Sequence, residues 1–331
     1  MPPSSPTRRG ALALPAAALA GGVAAPPPAR SQPSAPADAL PVEVLARFPP
    51  GTFLENLAVE PSGRVLFTNY TARRVEAWTR GGGHATHAAV EDAHPVAVAA
   101  LPDGGHALTV HGVAFTEGAA AMRGAGAVLL LGPDGAARGR VALPEAVFPN
   151  GILLLPGGML LVADSGSPRL WAVQPAAGVA QVWYEHPALG PDPARPGLPG
   201  ANGLKVSADR RSLLVTHSAA RALLAIPFKG ARAGGEPVRV AGFPGGVDDA
   251  AVAADGTIYA ATHGAPGLAR LAPRATEAAP MAAPESLDGA TAVALAPDGR
   301  SLYALGTGGL AAAARAGRAP GEAVLARVSL G

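Results

Sequence analysis

Residues 148–173 read FPNGILLLPGGMLLVADSGSPRLWAV, and this stretch decides the fold. An apolar run at 152–155 meets the turn Pro156-Gly157-Gly158. A second run at 159–163 ends in Asp164-Ser165-Gly166, and 170–173 begins a third. Short apolar runs separated by Pro, Gly, Asp and Ser are the signature of β-strands in an antiparallel meander. Asn150 stands just before the first strand, eight positions ahead of the turn glycine Gly158.

The same pattern returns along the chain. First strands of the same kind occur at 57–59, 98–100, 152–155, 204–206, 250–252 and 293–295, ahead of the turn residues Gly63, Gly104, Gly158, Arg210, Gly256 and Gly299. Second strands follow at 65–68, 107–110, 159–163, 213–216, 257–261 and 302–305. A recurrence of about 40–55 residues is the length of a four-stranded propeller blade. The expected fold is therefore all-β, a six-bladed β-propeller over 42–331, with a strand at 42–48 pairing with one at 323–330 to close the ring. A β-sandwich has a similar strand count but gives no reason for the register to return six times.

Composition agrees with this reading. The 331-residue chain is 49% hydrophobic, with 43 glycines and 35 prolines, which suits many short strands and tight turns. Its 26 basic and 24 acidic residues form no basic stripe, so nucleic acid is not an expected partner. The absence of cysteine excludes disulfides, thiolate metal sites and cysteine nucleophiles. Residues 1–25 carry Arg8-Arg9 ahead of a run of small apolar residues and read as a twin-arginine export signal, followed by a Pro-rich linker at 26–41. A disordered Ala/Pro-rich tail is the alternative. The run is too short and too weakly apolar for a stable membrane span. The expectation is a periplasmic or secreted protein, exported folded and monomeric.

The register also locates a site. Eight positions before each turn residue stand Glu55, Val96, Asn150, Asn202, Asp248 and Thr291. In a propeller the innermost strands start at one mouth of the central channel, so these six positions ring the axis. Two carboxylates and two amide oxygens suit one hard divalent cation, Ca2+ above all, with Zn2+ or Mn2+ as alternatives. Second strands return to the same mouth and place Asn69, His111, Asp164, His217, His263 and Gly306 in a wider ring. The three imidazoles there would take a proton or orient a substrate, or else bind a transition metal. Connections at 188–200 and 112–126 are placed to overhang this mouth. Ser165 and Ser218 lack a G-x-S-x-G elbow, which argues against a serine hydrolase.

The motifs FLENLAVEPSG at Glu55, FPNGILLLPGG at Asn150, ANGLKVSADR at Asn202 and GGVDDAAVAADG at Asp248 resemble the senescence marker protein, gluconolactonase and luciferin-regenerating enzyme superfamily of six-bladed propellers. The resemblance implies that Glu55, Asn150, Asn202 and Asp248 hold a divalent cation and that the protein hydrolyses a lactone or related ester. Sugar-lactone hydrolases of that group commonly carry Arg and Asp where this chain has Phe148 and Gly151; Asp249 replaces a usual Gly, and His217 a usual Asp. The expected activity is hydrolysis of a lactone or small ester, with Asp248, His263 or His217 taking the proton. Asn69, His111, Phe148, Asp164 and Asp249 would contact a small-molecule substrate. A non-catalytic exported propeller binding a small molecule or a protein is the alternative.

Overall fold

The computed structural model describes residues 40–331 apart from 196, 231 and 265. The export-signal reading of 1–25 and most of the linker reading of 26–41 lie outside these residues. Among the described residues there are six antiparallel sheets, each led by one of the repeated inner strands: Leu54–Val59, His94–Ala100, Pro149–Leu154, Ala201–Val206, Gly246–Val252 and Ala290–Leu295, here blades 1 to 6. The turn after each inner strand holds its reference residue at positive φ, from 58° at Arg210 to 87° at Gly256. That conformation explains why glycine recurs at five of the six positions.

Blade 6 is completed by the start of the chain. Val42–Phe48 pairs antiparallel with Ala323–Ser329 as its outermost strand, so the first and last strands latch the ring. Elsewhere the outer edges are irregular. The fourth strand of blade 5 is the two-residue Ala279–Pro280, because a proline ends the ladder by lacking an N–H donor. In blade 4, Arg232–Ala233 and Val238–Gly242 share the edge of the third strand.

Six hydrophobic clusters fill the six gaps between neighbouring blades. Between blades 6 and 1, for instance, Phe48, Leu54, Phe67, Trp78, Tyr303 and Leu325 pack together. Each blade is thus apolar on both faces, which stacks sheets around an axis instead of pairing them as a sandwich. Trp78 and Trp171 lie buried in third strands and belong to this packing. Among the described residues no helix is long and apolar enough to cross a membrane.

Candidate functional site at the channel mouth

Every inner strand breaks its register at its upstream end. In blades 1 to 5 two residues of the inner strand oppose one of the second: 55–56, 96–97, 150–151, 202–203 and 248–249; in blade 6 Thr291 is unpaired. These are β-bulges, which turn a side chain out of the pleat. The bulges fall on the six ring positions, so the ladder gives way at the residues that face the axis.

Hydroxyl groups hold this irregular backbone in place from the neighbouring blade. Thr68 Oγ1 donates to the Val96 carbonyl at 2.7 Å, and Thr109 Oγ1 to that of Asn150 at 2.7 Å. Thr216 Oγ1 donates to the Asp248 carbonyl at 2.6 Å, and Thr291 Oγ1 to that of Leu54 at 2.8 Å. Thr68, Thr109 and Thr216 also accept the N–H of the second bulge residue in their own blade. Ser165 and Ser218 do similar work, donating to the carbonyls of Ala201 and Val247.

The glycines after the two asparagines serve close approach. A Cβ on Gly151 would lie 2.3 Å from the Asn202 carbonyl oxygen, and one on Gly203 would lie 2.4 Å from Asp249 Oδ1. Gly151 is thus required by blade packing, and an aspartate there would collide with blade 4.

Within the ring, Glu55, Asn150, Asn202 and Asp248 are all buried. Asn150 hydrogen-bonds Glu55, while Glu55 Oε2 is buried without a partner. Asn202 Nδ2 donates to Asp248 Oδ1 and to Ser218 Oγ. Burial pushes the Glu55 carboxyl well above its usual range; the Asp248 charge adds to this, the Asn150 bond opposes it, and Asp249 adds further. Burial likewise raises Asp248 to about 6, with His263 opposing, Asp249 adding and the Asn202 bond opposing. Asp249 faces Lys205, whose Nζ lies 2.6 Å from its Oδ1, with Asn56 Nδ2 at 3.5 Å from Oδ2. Lys205 therefore balances Asp249, while Asp248 has only the His263 imidazole beside it and Glu55 has the amide of Asn150. A lysine inside the apolar run 204–206 was the sequence signal for this pair.

These donors fit a hard divalent cation. Two buried carboxylates carry the balancing charge, one with a free oxygen, and two neighbouring amides bring further oxygens. Among the described residues no three His, Cys, Asp or Glu side chains form a cation cage by themselves, so the amides of Asn150 and Asn202 would complete the set.

The wider ring divides. The second strands end at Asn69, His111, Asp164, His217, His263 and Gly306. Asn69 Oδ1 accepts the Ala72 N–H and its Nδ2 donates to Glu76. Both Asp164 oxygens are taken, by the backbone of Val147, Phe148 and Gly166 and the Ser167 hydroxyl. His217 Nε2 donates to the Gly190 carbonyl and its Nδ1 accepts the Ala220 N–H, which ties Gly190 to the end of the second strand of blade 4. His111 Nε2 donates to the Pro149 carbonyl, with the Tyr70 hydroxyl 3.3 Å from Nδ1. Burial lowers the pKa of both imidazoles, His111 to about 4.

His263 differs. Its Nε2 lies 3.4 Å from Asp248 Oδ2 without hydrogen-bond geometry, and its side chain is 34% exposed where that of Asp248 is 5% exposed. It alone in the wider ring reaches both a ring carboxylate and solvent.

Comparison with known proteins agrees with this architecture. Residues 56–306 match the family described as SMP-30/Gluconolactonase/LRE-like region. No curated protein matches the sequence. Among solved structures, a gluconolactonase from Xanthomonas campestris superposes with a TM-score of 0.63 at 16% identity, covering 91% of this chain and 98% of that one. A luciferin-regenerating enzyme gives 0.63 at 14% identity, covering 88% and 95%. A calcium-binding regucalcin from Agrobacterium tumefaciens gives 0.60 at 16% identity, covering 88% and 97%. At such identities the structures speak for the fold alone, whereas the sequence match spans most of the chain: this protein belongs to the SMP-30/gluconolactonase/LRE-like family of six-bladed propellers.

Proposed function

We propose that the protein is a divalent-cation-dependent hydrolase of a lactone or small ester. One observation carries the reading: Glu55 and Asp248 are buried carboxylates on one channel mouth, among the described residues no Lys or Arg is paired with either, only the His263 imidazole stands beside Asp248, and one Glu55 oxygen has no partner. Burying such a pair is costly unless a ligand of opposite charge repays it.

Glu55, Asn150, Asn202 and Asp248 would hold the ion, Ca2+ by the hardness of the donor set. When bound, the cation supplies Lewis-acid polarisation of a carbonyl. The chain's own residues do the rest. A carboxylate oxygen of Asp248 would accept a proton from the attacking water, and His263, 3.4 Å away and partly exposed, would relay it between the acid and solvent. Water adds to the carbonyl carbon, the C–O bond to the leaving oxygen breaks, and the leaving alkoxide takes up the proton, giving a hydroxy acid from a lactone or an acid and an alcohol from an ester. His217 holds Gly190 instead of taking the proton, since both its nitrogens are engaged. The paired arginines at the start of the chain would direct export, which fractionation of cells carrying an Arg8→Lys, Arg9→Lys variant tests.

The decisive experiment is a panel of lactones and esters assayed with Ca2+, Mn2+ and Zn2+ and after chelation, on wild type, Glu55→Ala and Asp248→Ala. Cation-dependent turnover lost in both variants is expected. Turnover indifferent to cations, or none on any substrate, overturns the reading in favour of a non-catalytic binding propeller.

A further inference from the structure

Phe, Trp and Tyr make up only 4% of this chain, yet one sector of the mouth is walled with rings. Tyr70 stacks on His94 at 4.6 Å and meets Phe115 at 5.3 Å, Phe53 at 5.7 Å and His111 at 5.7 Å. Phe148 extends the wall, 4.5 Å from His111 and 6.4 Å from Phe115. Chain position puts all six rings at the same end of the channel. Phe53 and Phe148 directly precede inner strands, His94 begins one, and Tyr70 and His111 lie where second strands end. Phe115 sits in the connection that follows His111.

The wall is built in two layers. Tyr70 and His111 form the buried layer, 5% and 2% exposed, and are held in place. The Tyr70 hydroxyl accepts the Phe115 N–H at 2.8 Å, and His111 Nε2 donates to the Pro149 carbonyl, one residue from Asn150. In the outer layer Phe53 and Phe148 are partly exposed and Phe115 is 40% exposed. Phe115 packs on Tyr70, Phe53 and Phe148 and still presents part of its ring to solvent, so the aromatic cluster continues to the surface as a contiguous apolar patch. The polar atoms behind it are already committed, so the sector has few free donors or acceptors for the hydroxyls of a sugar.

Resting on the hydrolase reading above, we propose that this wall is the substrate's binding surface, and that the substrate is a lactone or ester bearing an apolar or aromatic substituent, not a polyhydroxylated one. Phe53 is two residues from Glu55 and Phe148 two from Asn150, so a carbonyl at the ring would place its substituent against them. Phe148 fills this place as a flat, apolar contact.

The test compares an aryl-substituted butyrolactone with a polyhydroxylated δ-lactone on wild type, Phe115→Ala and Phe148→Ala. Kcat/KM is expected to favour the aryl lactone by about 10-fold or more, and each substitution to raise KM about 5–10-fold for the aryl lactone alone. Preference for the polyhydroxylated lactone, or equal effects on both, overturns the proposal. If neither is hydrolysed, the lactone and ester panel decides the hydrolase reading and a separate arm decides this one: calorimetric binding of the matching aryl-substituted and polyhydroxylated lactams. Binding of the aryl lactam, weakened in Phe115→Ala, upholds the aromatic surface; its failure to bind, or binding unchanged by the substitution, overturns it. Thermal unfolding of each variant identifies any loss due to misfolding, and Phe115→Leu, which keeps apolar bulk, is expected to recover at least half of the lost affinity.

Discussion

In the sector of the mouth formed by blades 1 to 3 a cluster of packed rings gathers around Tyr70 and His111, whereas in blades 4 and 5 the strand ends carry the polar side chains of His217, Ser218, Asp248 and His263. His111 and His263 hold the same register position in these two sectors. His111 is buried among rings with both nitrogens engaged. His263 stands beside a buried acid and opens to solvent. A propeller repeats its backbone but not its surroundings, so equivalent residues join a ring cluster in one sector and stand beside a buried acid in the other. The comparison can be broken at several points.

The ring itself should show the largest effects. Glu55→Gln or Asp248→Asn is expected to lower kcat by about 10³-fold, because each removes charge where catalysis would need it. The same substitutions should stabilise the chelated protein at pH 8. A group whose pKa rises to about 6 on folding binds more protons folded than unfolded, so it penalises stability above that pH and ceases to do so as pH falls toward 4. Replacing Asp248 with neutral Asn should therefore gain about 1–3 kcal/mol at pH 8 by urea unfolding. A variant that loses both activity and stability would mean that the carboxylate is structural.

Next in size is the contrast of two histidines in adjacent blades. His263→Gln should reduce kcat about 10²-fold and leave the unfolding midpoint in place, as expected for a group that moves protons. His217→Gln should do the reverse. It disturbs bonds to Gly190 and Ala220, costing about 1–3 kcal/mol, with kcat within a few-fold of wild type. Equal kinetic losses in both would make the wider ring a single functional unit and erase the distinction.

His111 gives a smaller effect that is read against pH. Burial lowers it from 6.5 to about 4, so between those values the unfolded chain binds a proton that the folded one does not. Its contribution is complete above pH 6.5 and is lost as pH falls toward 4, a change on the order of 3 kcal/mol. The carboxylates of the ring act in the opposite sense over part of this range. The informative quantity is therefore the difference between wild type and His111→Gln, which should shrink as the solution is acidified. A constant difference would show that the ring is not held neutral.

The fold was legible because its determinants are local. A left-handed turn residue and two flanking apolar runs mark each blade, and the latch strand 42–48 stood out as an apolar run left over. The ring positions followed by counting, since the bulges recur at the same distance from the turn. What counting could not give was occupancy. The hydrogen bonds that close Asp164 onto residues 147–148 and 166–167, or His217 onto Gly190, depend on where a connection lies in space. The aromatic wall joins residues from 53 to 148, yet it had a weak sequence signal: in an aromatic-poor chain, Phe53, Tyr70 and Phe148 each stand beside a strand end on the mouth side. Gly151 could be read only as a departure from related sequences until its distance to blade 4 was known.

The smallest effect concerns the stitches beneath both sectors. Thr109 Oγ1 accepts the Ala97 N–H at 2.9 Å and donates to the Asn150 carbonyl at 2.7 Å, fixing the bulge of blade 2 to that of blade 3. In blade 3 the equivalent position is Ala163, and the link to blade 4 comes from Ser165 two residues later. Thr109→Val keeps the shape and removes both bonds, leaving a buried N–H and a buried carbonyl unpaired, which should cost about 1–2 kcal/mol. Because the carbonyl belongs to Asn150, cation affinity should also weaken by about 2–5-fold through the backbone, a positioning effect without any direct ligand loss. Ser165→Ala removes only a donor to Ala201 and should cost about 1 kcal/mol, with a smaller change in affinity. Calorimetric titration of Ca2+ into the chelated proteins separates the two. If Thr109→Val left affinity unchanged while stability fell, the bulges would be held by the ring of side chains above them and not by the hydroxyls below.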